Sequence, residues 1–380
     1  MGAPDVFSPE SVPELADWLG SRRDGTATAA PACVAGGGTK PSLSHRDGAM
    51  PVELKHLSGI LSYEPSEFTL TVRAGTALRE ISAALGAHGQ SLPFDPPWVD
   101  AGSTAGGAVA AGISGPGRTR GGGVRDSVLA VRFLDGQGRH ARAGAAVVKN
   151  AAGFDLPKLF VGSVGGLAVL TEITFKVLPA PRAHATALFD LPDLSAAHRA
   201  ALSVLGANFT LDGLEIMPAA ESPGDDFTLA SRVGGEPASF DARLARLAKH
   251  LGQPFRSPSS PQEERSLWAR LRDADWAPAD RALLWVPTAP ARVPALAAAL
   301  RDFNADAGFG GGLTSARISI PADALDAFEA VLTGLDFQAL LLRGAQRPPI
   351  LGRPIGAPLL HRVKKTLDPD GLFAGFGANS

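Results

Sequence analysis

Glycine is the residue type that first points to chemistry here. Val34-Ala-Gly-Gly-Gly-Thr-Lys40 is one cluster; a second runs from Gly102-Ser-Thr-Ala-Gly-Gly107 through Gly112-Ile-Ser-Gly-Pro-Gly117 to Gly121-Gly-Gly123; Gly162-Ser-Val-Gly-Gly166 is a third. Without a Cβ, successive backbone N–H groups can converge on one point, and positive φ costs little. Such nests bind anions, phosphate above all. Three of them between β-type segments imply a ligand long enough to touch each, and an extended dinucleotide such as FAD has that length. No Gly-x-Gly-x-x-Gly occurs and no P-loop lysine pattern exists, so a Rossmann site and ATP use are disfavoured.

Side chains that could act on a substrate are fewer. Arg118 and Arg120 sit on a Gly/Pro-rich loop, where a guanidinium fork could clamp a carboxylate or simply meet solvent or a partner. Lys149-Asn150 precedes Ala-Ala-Gly in a loop that could reach a cofactor, although Asn150 could equally satisfy loop backbone. His361 is a general-base candidate only if its helix meets the reacting face, and a surface or packing histidine is the simpler reading. Arg343, after an apolar strand, is similar. Cys33 reads as a small core residue. Asp225-Asp226 and Glu263-Glu264 read as exposed charges, and no metal site is expected.

The elements that would hold these residues follow from periodicity and punctuation. Ser8-Pro9-Glu10 reads as a helix start before Val12, Leu15, Trp18 and Leu19. Residues 31–35 read as a strand entering the first cluster, and 54–60 as a second edge. Residues 68–74 alternate with period two; Thr76 then caps a helix bearing Leu78, Ile81 and Leu85. Asp135-Gly-Gln-Gly138 joins 128–134 to 140–143 as a hairpin. Residues 169–177 form a strand ending at Pro179-Ala-Pro181, taken as a domain boundary. Beyond it, helices are expected at 193–205, 239–251, from the Ser260-Pro-Gln-Glu263 capping box, at 292–304, 323–333 and 359–367. Strands are expected at 211–217, 227–233, 282–287, 313–320 and 337–342. This mixture suggests an antiparallel sheet with helices on one face.

The 380 residues suffice for two domains, each with its own core. Lys plus Arg (36) nearly balance Asp plus Glu (38), so no global field favours nucleic acid. One cysteine rules out an internal disulfide and a cysteine-ligated cluster, and fits a reducing cytoplasm. No apolar run is long enough to span a bilayer, and the first residues lack the basic and apolar pattern of a signal peptide.

The run Pro65-Ser-Glu-Phe-Thr-Leu-Thr-Val-Arg-Ala-Gly-Thr76, then Gly89-Gln-Ser-Leu-Pro-Phe-Asp-Pro-Pro97 and Gly102-Ser-Thr-Ala-Gly-Gly107, resembles the FAD domain of the vanillyl-alcohol oxidase and p-cresol methylhydroxylase (PCMH) superfamily. More narrowly, Gly112 to Arg118, Gly122 to Leu129, Val148 to Asp155, Gly162 to Ile173 and Ala357 to Phe373 resemble the FAD-binding E-type subunits of bacterial glycolate oxidases. The likeness is dense over 34–181, sparse in the middle, and returns at 355–373.

That resemblance implies an α+β fold: a two-subdomain PCMH-type FAD-binding domain over 1–180, an antiparallel α+β cap over 181–345, and a C-terminal segment, 346–380, returning to the first domain. By position, Gly36, Gly37, Gly38, Thr39 and Lys40 would hold the pyrophosphate through backbone N–H groups. Pro93, Ser103, Thr104, Gly106, Gly107, Gly112 and Ser114 would line the path to the flavin; Gly122, Asp126, Gly165, Gly166 and Ile173 would complete the pocket. Superfamily members with covalent flavin use a histidine after the first cluster, or a histidine–cysteine pair. Thr39-Lys-Pro-Ser-Leu-Ser44 has neither, so noncovalent FAD is expected. The metal-binding cap of some relatives is missing too, since His184, His198 and His250 are scattered. The implied activity is oxidation of a small 2-hydroxy acid, glycolate or D-lactate. Electrons would pass to a second flavoprotein subunit and an iron–sulfur subunit, and partners could hold a cytoplasmic chain at the inner membrane. A non-catalytic electron-transfer or structural subunit, and a stand-alone oxidoreductase using NADPH, stay open as alternatives.

Overall fold

The computed structural model describes residues 6–24, 30–44, 46–145, 155–223, 227–354 and 356–374. The first unit is small. Helix Val12–Asp24 packs on a parallel pair, Ala32–Ala35 with Met50–Glu53, through Leu15, Leu19, Val52 and Leu57. Its start differs from expectation: Ser11 Oγ accepts from Glu14 N at 3.2 Å while Glu14 reaches back to Glu10 N, so the cap is Ser11, not Ser8. The C-terminal segment closes this unit, with Phe373 bridging to Ala32 and lying in the same core.

The second unit is an antiparallel five-stranded sheet in the order Ile60–Glu64, Thr69–Arg73, Val169–Lys176, Val128–Leu134, His140–Gly144. Residues 54–60, expected as an edge, instead connect Met50–Glu53 to Ile60–Glu64. Leu70, Val72, Ile173 and Phe175 bury their side chains under helices Leu78–Gly86 and Ala105–Ala111. Thr76 does not cap the first of these helices. Its hydroxyl donates toward the Arg73 and Gly59 carbonyls and takes the Gly59 N–H, pinning the preceding turn.

The third unit is an eight-stranded antiparallel sheet: Ala183–Leu191, Phe227–Gly235, Gly213–Ile216, Asp306–Gly310, Ser315–Ile320, Ala282–Pro287, Gln338–Arg343, Ile350–Gly352. Three of these strands fall outside the sequence expectation. Ala183–Leu191 follows directly on the proline boundary, Asp306–Gly310 is glycine-rich, and Ile350–Gly352 carries the sheet past residue 345. One face is the main core, with Phe189, Leu229, Leu284, Ile318 and Leu341 beneath helices Leu194–Gly206, Phe240–Leu251, Val293–Leu300 and Leu325–Gly334. The opposite face is covered as well. Helix Pro261–Asp273 packs on one half through Leu267, Trp268 and Leu271; the N-terminal domain covers the other half.

Candidate cofactor site

The glycine clusters meet. An ideal Cβ on Gly36 would stand 2.1 Å from Thr104 Oγ1, and one on Gly37 only 1.8 Å from the Gly102 carbonyl oxygen, so the first cluster lies directly against the second. The third closes on both: Gly162 N and Val164 N donate to Val109 O and Ala110 O at 3.0 and 2.8 Å, and a Cβ on Gly165 would meet Val34 at 3.6 Å. Between them runs a narrow slot of about 40 Å³, lined by Gly36, Thr104, Gly106, Gly107, Ser163 and Gly165 together with Val34, Ala35, Leu54, Ala74, Ala110, Ala168 and Leu170. Ser163 and these last seven were not among the expected site residues; alanine and aliphatic residues flanking glycine carry no signal beyond small size.

The slot's chemistry is set by the first cluster. Among the described residues, no acceptor takes the backbone N–H of Gly36, Gly37, Gly38, Thr39 or Lys40. Gly37 and Gly38 are exposed, so these donors are open to solvent or a ligand, and consecutive amides left free in this way can form a nest for an anion. Gly38 makes the turn, at φ 67°, a left-handed value that favours glycine. Lys40 stands at the end of this nest and is 7% exposed. Its Nζ donates to Thr39 Oγ1 at 3.1 Å and lies 5.2 Å from the centre of the Trp98 ring; no carboxylate pairs with it among the described residues. Burial pushes its pKa down to about 8. Ser103 and Ser163, both buried, offer hydroxyls with no partner among the described residues, whereas Thr104 Oγ1 accepts from Gly107 N at 3.2 Å. Orphan amides, a glycine cradle that side chains would fill and an unpaired buried ammonium together fit the diphosphate region of a dinucleotide.

The remaining residues singled out from sequence lie elsewhere. Gly112 packs against Gly162 backbone, and the Gly166 carbonyl accepts from Lys364 Nζ at 2.7 Å, tying the C-terminal helix Ala357–Leu367 to the third cluster. Ser114, Gly122 and Asp126 form a separate local structure. Asp126 caps Gly123 N at 2.8 Å, Ser114 Oγ takes Val124 N at 3.1 Å, and a Cβ on Gly122 would meet Asp126 Oδ2 at 2.9 Å. That glycine and that aspartate are explained by the turn they make. Ile173, expected at the pocket, is fully buried on the central strand, packs in the sheet core and lines no part of the slot. His361 is exposed on helix Ala357–Leu367. Arg118 extends from the helical turn Arg118–Gly121 to the Gly311 turn of the third unit, its Cδ 3.4 Å from where a Gly311 Cβ would stand. Lys149 and His45 lie outside the described residues.

Pro93 lines a different and larger cavity of about 390 Å³, where the N-terminal domain meets the eight-stranded sheet. There Arg120 Nη1 lies 3.3 Å and His184 Nε2 3.2 Å from Asp212 Oδ2. Burial alone would raise the Asp212 pKa; the His184 hydrogen bond and the Arg120 charge overcome it and hold the carboxyl below its ordinary value. This cavity exceeds the slot in volume, but its arginines are already paired: Arg232 with Glu264 and Arg272 with Asp273. The nest, with donors unspent, is the better-equipped ligand site.

Where the sheet covers the glycine clusters, the contact is apolar. Leu43, Ala111, Ile113 and Val164 meet Leu283, Leu340, Leu342 and Trp276, with Trp98 and Trp285 at the margin. Beside it lies the buried pair Arg317–Glu215, Nη2 to Oε2 at 2.5 Å. Burial raises the Glu215 pKa, opposed by the Arg317 charge and hydrogen bond. Cys33 is buried with Sγ 3.7 Å from Leu43 O, and burial raises its pKa, so it is a packed thiol rather than a nucleophile.

Fold and site thus define a class: a two-part α+β N-terminal domain, built around a glycine-lined slot, carrying an antiparallel α+β cap. The match to known proteins agrees. Residues 6–144 match the family described as FAD binding domain. Two solved structures of alkyldihydroxyacetonephosphate synthase share the fold over 98% of this chain and 76% of theirs, with TM-scores of 0.67 and 0.68 at 17% and 16% identity. In sequence, the chain is similar to glycolate oxidase subunit GlcE of Escherichia coli K12, 46% identical over 153 residues, covering 40% of this chain and 44% of that protein. It is also similar to glycolate oxidase subunit GlcD of Bacillus subtilis, 30% identical over 181 residues (48% of this chain, 37% of that one). The mitochondrial D-lactate dehydrogenase [cytochrome] of Arabidopsis thaliana is 24% identical over 244 residues, 60% of this chain and 42% of that protein. The chain spans less than half the length of each of these curated relatives.

Proposed function

We propose that this chain is the FAD-binding subunit of a complex that oxidises glycolate or a related D-2-hydroxy acid, its electrons leaving through partner subunits. The observation that carries the reading is the convergence of three glycine segments on one slot, lined by Gly36 at the start of a run of amides that no protein acceptor takes among the described residues. FAD, when bound, supplies the acceptor for the substrate's hydride. The protein's part is to bind and orient: Gly36 to Lys40 present donors to the diphosphate, Ser103 and Ser163 add hydroxyls, and the leucine and tryptophan contact of the cap excludes water. Attachment is noncovalent on this reading, since Thr39-Lys-Pro-Ser-Leu-Ser44, after the first cluster, carries neither histidine nor cysteine. The partners proposed are a second flavoprotein and an iron–sulfur subunit. No helix among the described residues is long and apolar enough to cross a membrane, so contact with the inner membrane would run through those partners.

A second reading, a flavin-holding subunit without turnover of its own, draws support from the apolar junction. Among the described residues, the slot lining contains no titratable side chain; Lys40 stands beside Thr39 and Trp98, and Glu215 is already committed to Arg317. Reconstitution with FAD and anaerobic titration with glycolate and D-lactate separates the readings. Bleaching by the chain alone assigns it turnover. Bleaching only after a partner flavoprotein is added assigns it electron transfer. A colourless protein after reconstitution refutes both.

A further inference from the structure

We propose that the Lys40 ammonium, and not only the loop amides, neutralises the dinucleotide diphosphate, so that FAD binding is linked to proton uptake at this one side chain. The inference rests on the FAD reading and deepens it. Lys40 is a buried cation whose Nζ has three donors and one protein acceptor, Thr39 Oγ1. The Trp98 ring below it supplies a weak cation–π contact in place of a counter-ion. The charged groups on the surrounding elements are committed elsewhere. Arg46 donates to Ala374 O and Val164 O, Arg343 to Ala277 O and Pro278 O, and Asp273 takes the Arg272 guanidinium and the Trp98 N–H. The Cys33 thiol faces the Leu43 carbonyl. A buried charge without a partner is costly, and folded proteins keep one where a ligand completes it. The Lys40 Nζ lies 3.1 Å from Thr39 Oγ1, on the same loop whose amides no protein acceptor takes among the described residues, so a diphosphate at that loop would satisfy both.

Charge linkage fixes the sign. Burial leaves the free-protein pKa near 8; a diphosphate in contact raises it. Above about pH 8 each binding event therefore takes up a proton, and affinity falls as pH rises, by up to roughly tenfold per unit. The test is FAD titration by flavin fluorescence from pH 7 to pH 10 on the wild type, Lys40→Met and Lys40→Arg, with riboflavin as the ligand lacking phosphate. The wild type should weaken above about pH 8. Lys40→Met should bind FAD about 10- to 100-fold more weakly at pH 7, the worth of one charged hydrogen-bonded contact, with a flat profile. Lys40→Arg should bind tightly and flatly, and riboflavin should be indifferent to all three. If Lys40→Met fails to fold, calorimetry of the wild type at pH 9 in buffers of different ionisation enthalpy reads the proton directly. Equal FAD affinity and pH profile for wild type and Lys40→Met, equal losses for riboflavin and FAD, or no proton uptake at pH 9 would each overturn the proposal. A wild type that binds riboflavin and FAD not at all overturns the FAD reading with it.

Discussion

Replacing Gly37 by alanine tests the convergence of the loops directly. The new Cβ would stand 1.8 Å from the Gly102 carbonyl oxygen and 2.7 Å from its carbon, where unstrained contact begins near 3.4 Å. One backbone or the other must therefore move by about 1.6 Å, because no rotamer change relieves a clash between a Cβ and a carbonyl. Gly102 resists: its N–H is held by Val99 O at 3.2 Å, and the next amide, Ser103, by Trp98 O at 3.0 Å. Overpacking of this kind costs about 1–3 kcal/mol. If the first loop yields, its amides leave the slot, and that energy appears as a loss of FAD affinity of about 5- to 150-fold. Gly38→Ala is the control. Among the described residues nothing lies within 4 Å of its Cβ, so the left-handed φ of 67° opposes it, at about 1–2 kcal/mol without displacing the partner loop. The assay is FAD titration of wild type and both variants, alongside thermal unfolding to show that the cap still melts cooperatively. A Gly37→Ala protein that folds and binds FAD as tightly as wild type would refute the view that this loop contact shapes the site.

Other consequences follow from particular contacts. Arg317→Met strands Glu215, whose side chain is 1% exposed, and should destabilise the protein by about 3–5 kcal/mol in denaturant unfolding; Glu215→Leu added to it should recover much of the loss, and an unchanged midpoint in the single variant would refute this. In ligand-free protein, Lys40 is depressed to about 8 when folded and recovers its ordinary value of 10.5 when unfolded, so the unfolded chain binds more protons between those limits. Its contribution to stability therefore rises with pH across that window, and Lys40→Met should exceed wild type most at pH 7, by up to about 3 kcal/mol, the gap closing towards pH 10.5 in urea titrations. Lys364→Met removes donors from Gly166 O, Phe373 O and Asp368, and should release the C-terminal segment to limited proteolysis at a cost of about 2–3 kcal/mol. His361→Ala, at an exposed position, should leave FAD affinity and flavin reduction unchanged; a lost pH-dependent step would restore it as a base.

The glycine loops were legible because their reason is local and visible in the residue type. Gly36 and Gly37 are glycine since any side chain there would enter Thr104 or Gly102. At Gly122 the same residue type has a second local reason, since its neighbour is the Asp126 cap. A glycine needed for packing and one needed for a cofactor look alike until the third dimension says which loop lies opposite. Ile173 follows the third cluster in the chain, and Ala168 and Leu170 reach the slot while Ile173 packs in the core. Lys40 could be assigned to the loop from sequence, but not its burial or its want of a partner, because those depend on Trp98, which its own segment does not contain.

The cap shows where a period-two reading stops being sufficient. Ser315–Ile320 alternates polar and apolar residues as a half-exposed strand should, with Ala316, Ile318 and Ile320 in the main core. Ser315, Arg317 and Ser319 should then face water, but every residue of the strand is buried, because the N-terminal domain occupies the solvent side of this half of the sheet. The polar side chains thus become interior groups that must find partners inside the protein. Arg317 does so with Glu215, 102 residues away in sequence, a pairing no local pattern reveals. Its Nε, and the Ser319 hydroxyl, have no hydrogen-bond partner among the described residues. A strand that wears a surface pattern in an interior position marks a junction between units. The mismatch between alternation and burial identifies the cap face turned toward the N-terminal domain, which composition alone does not.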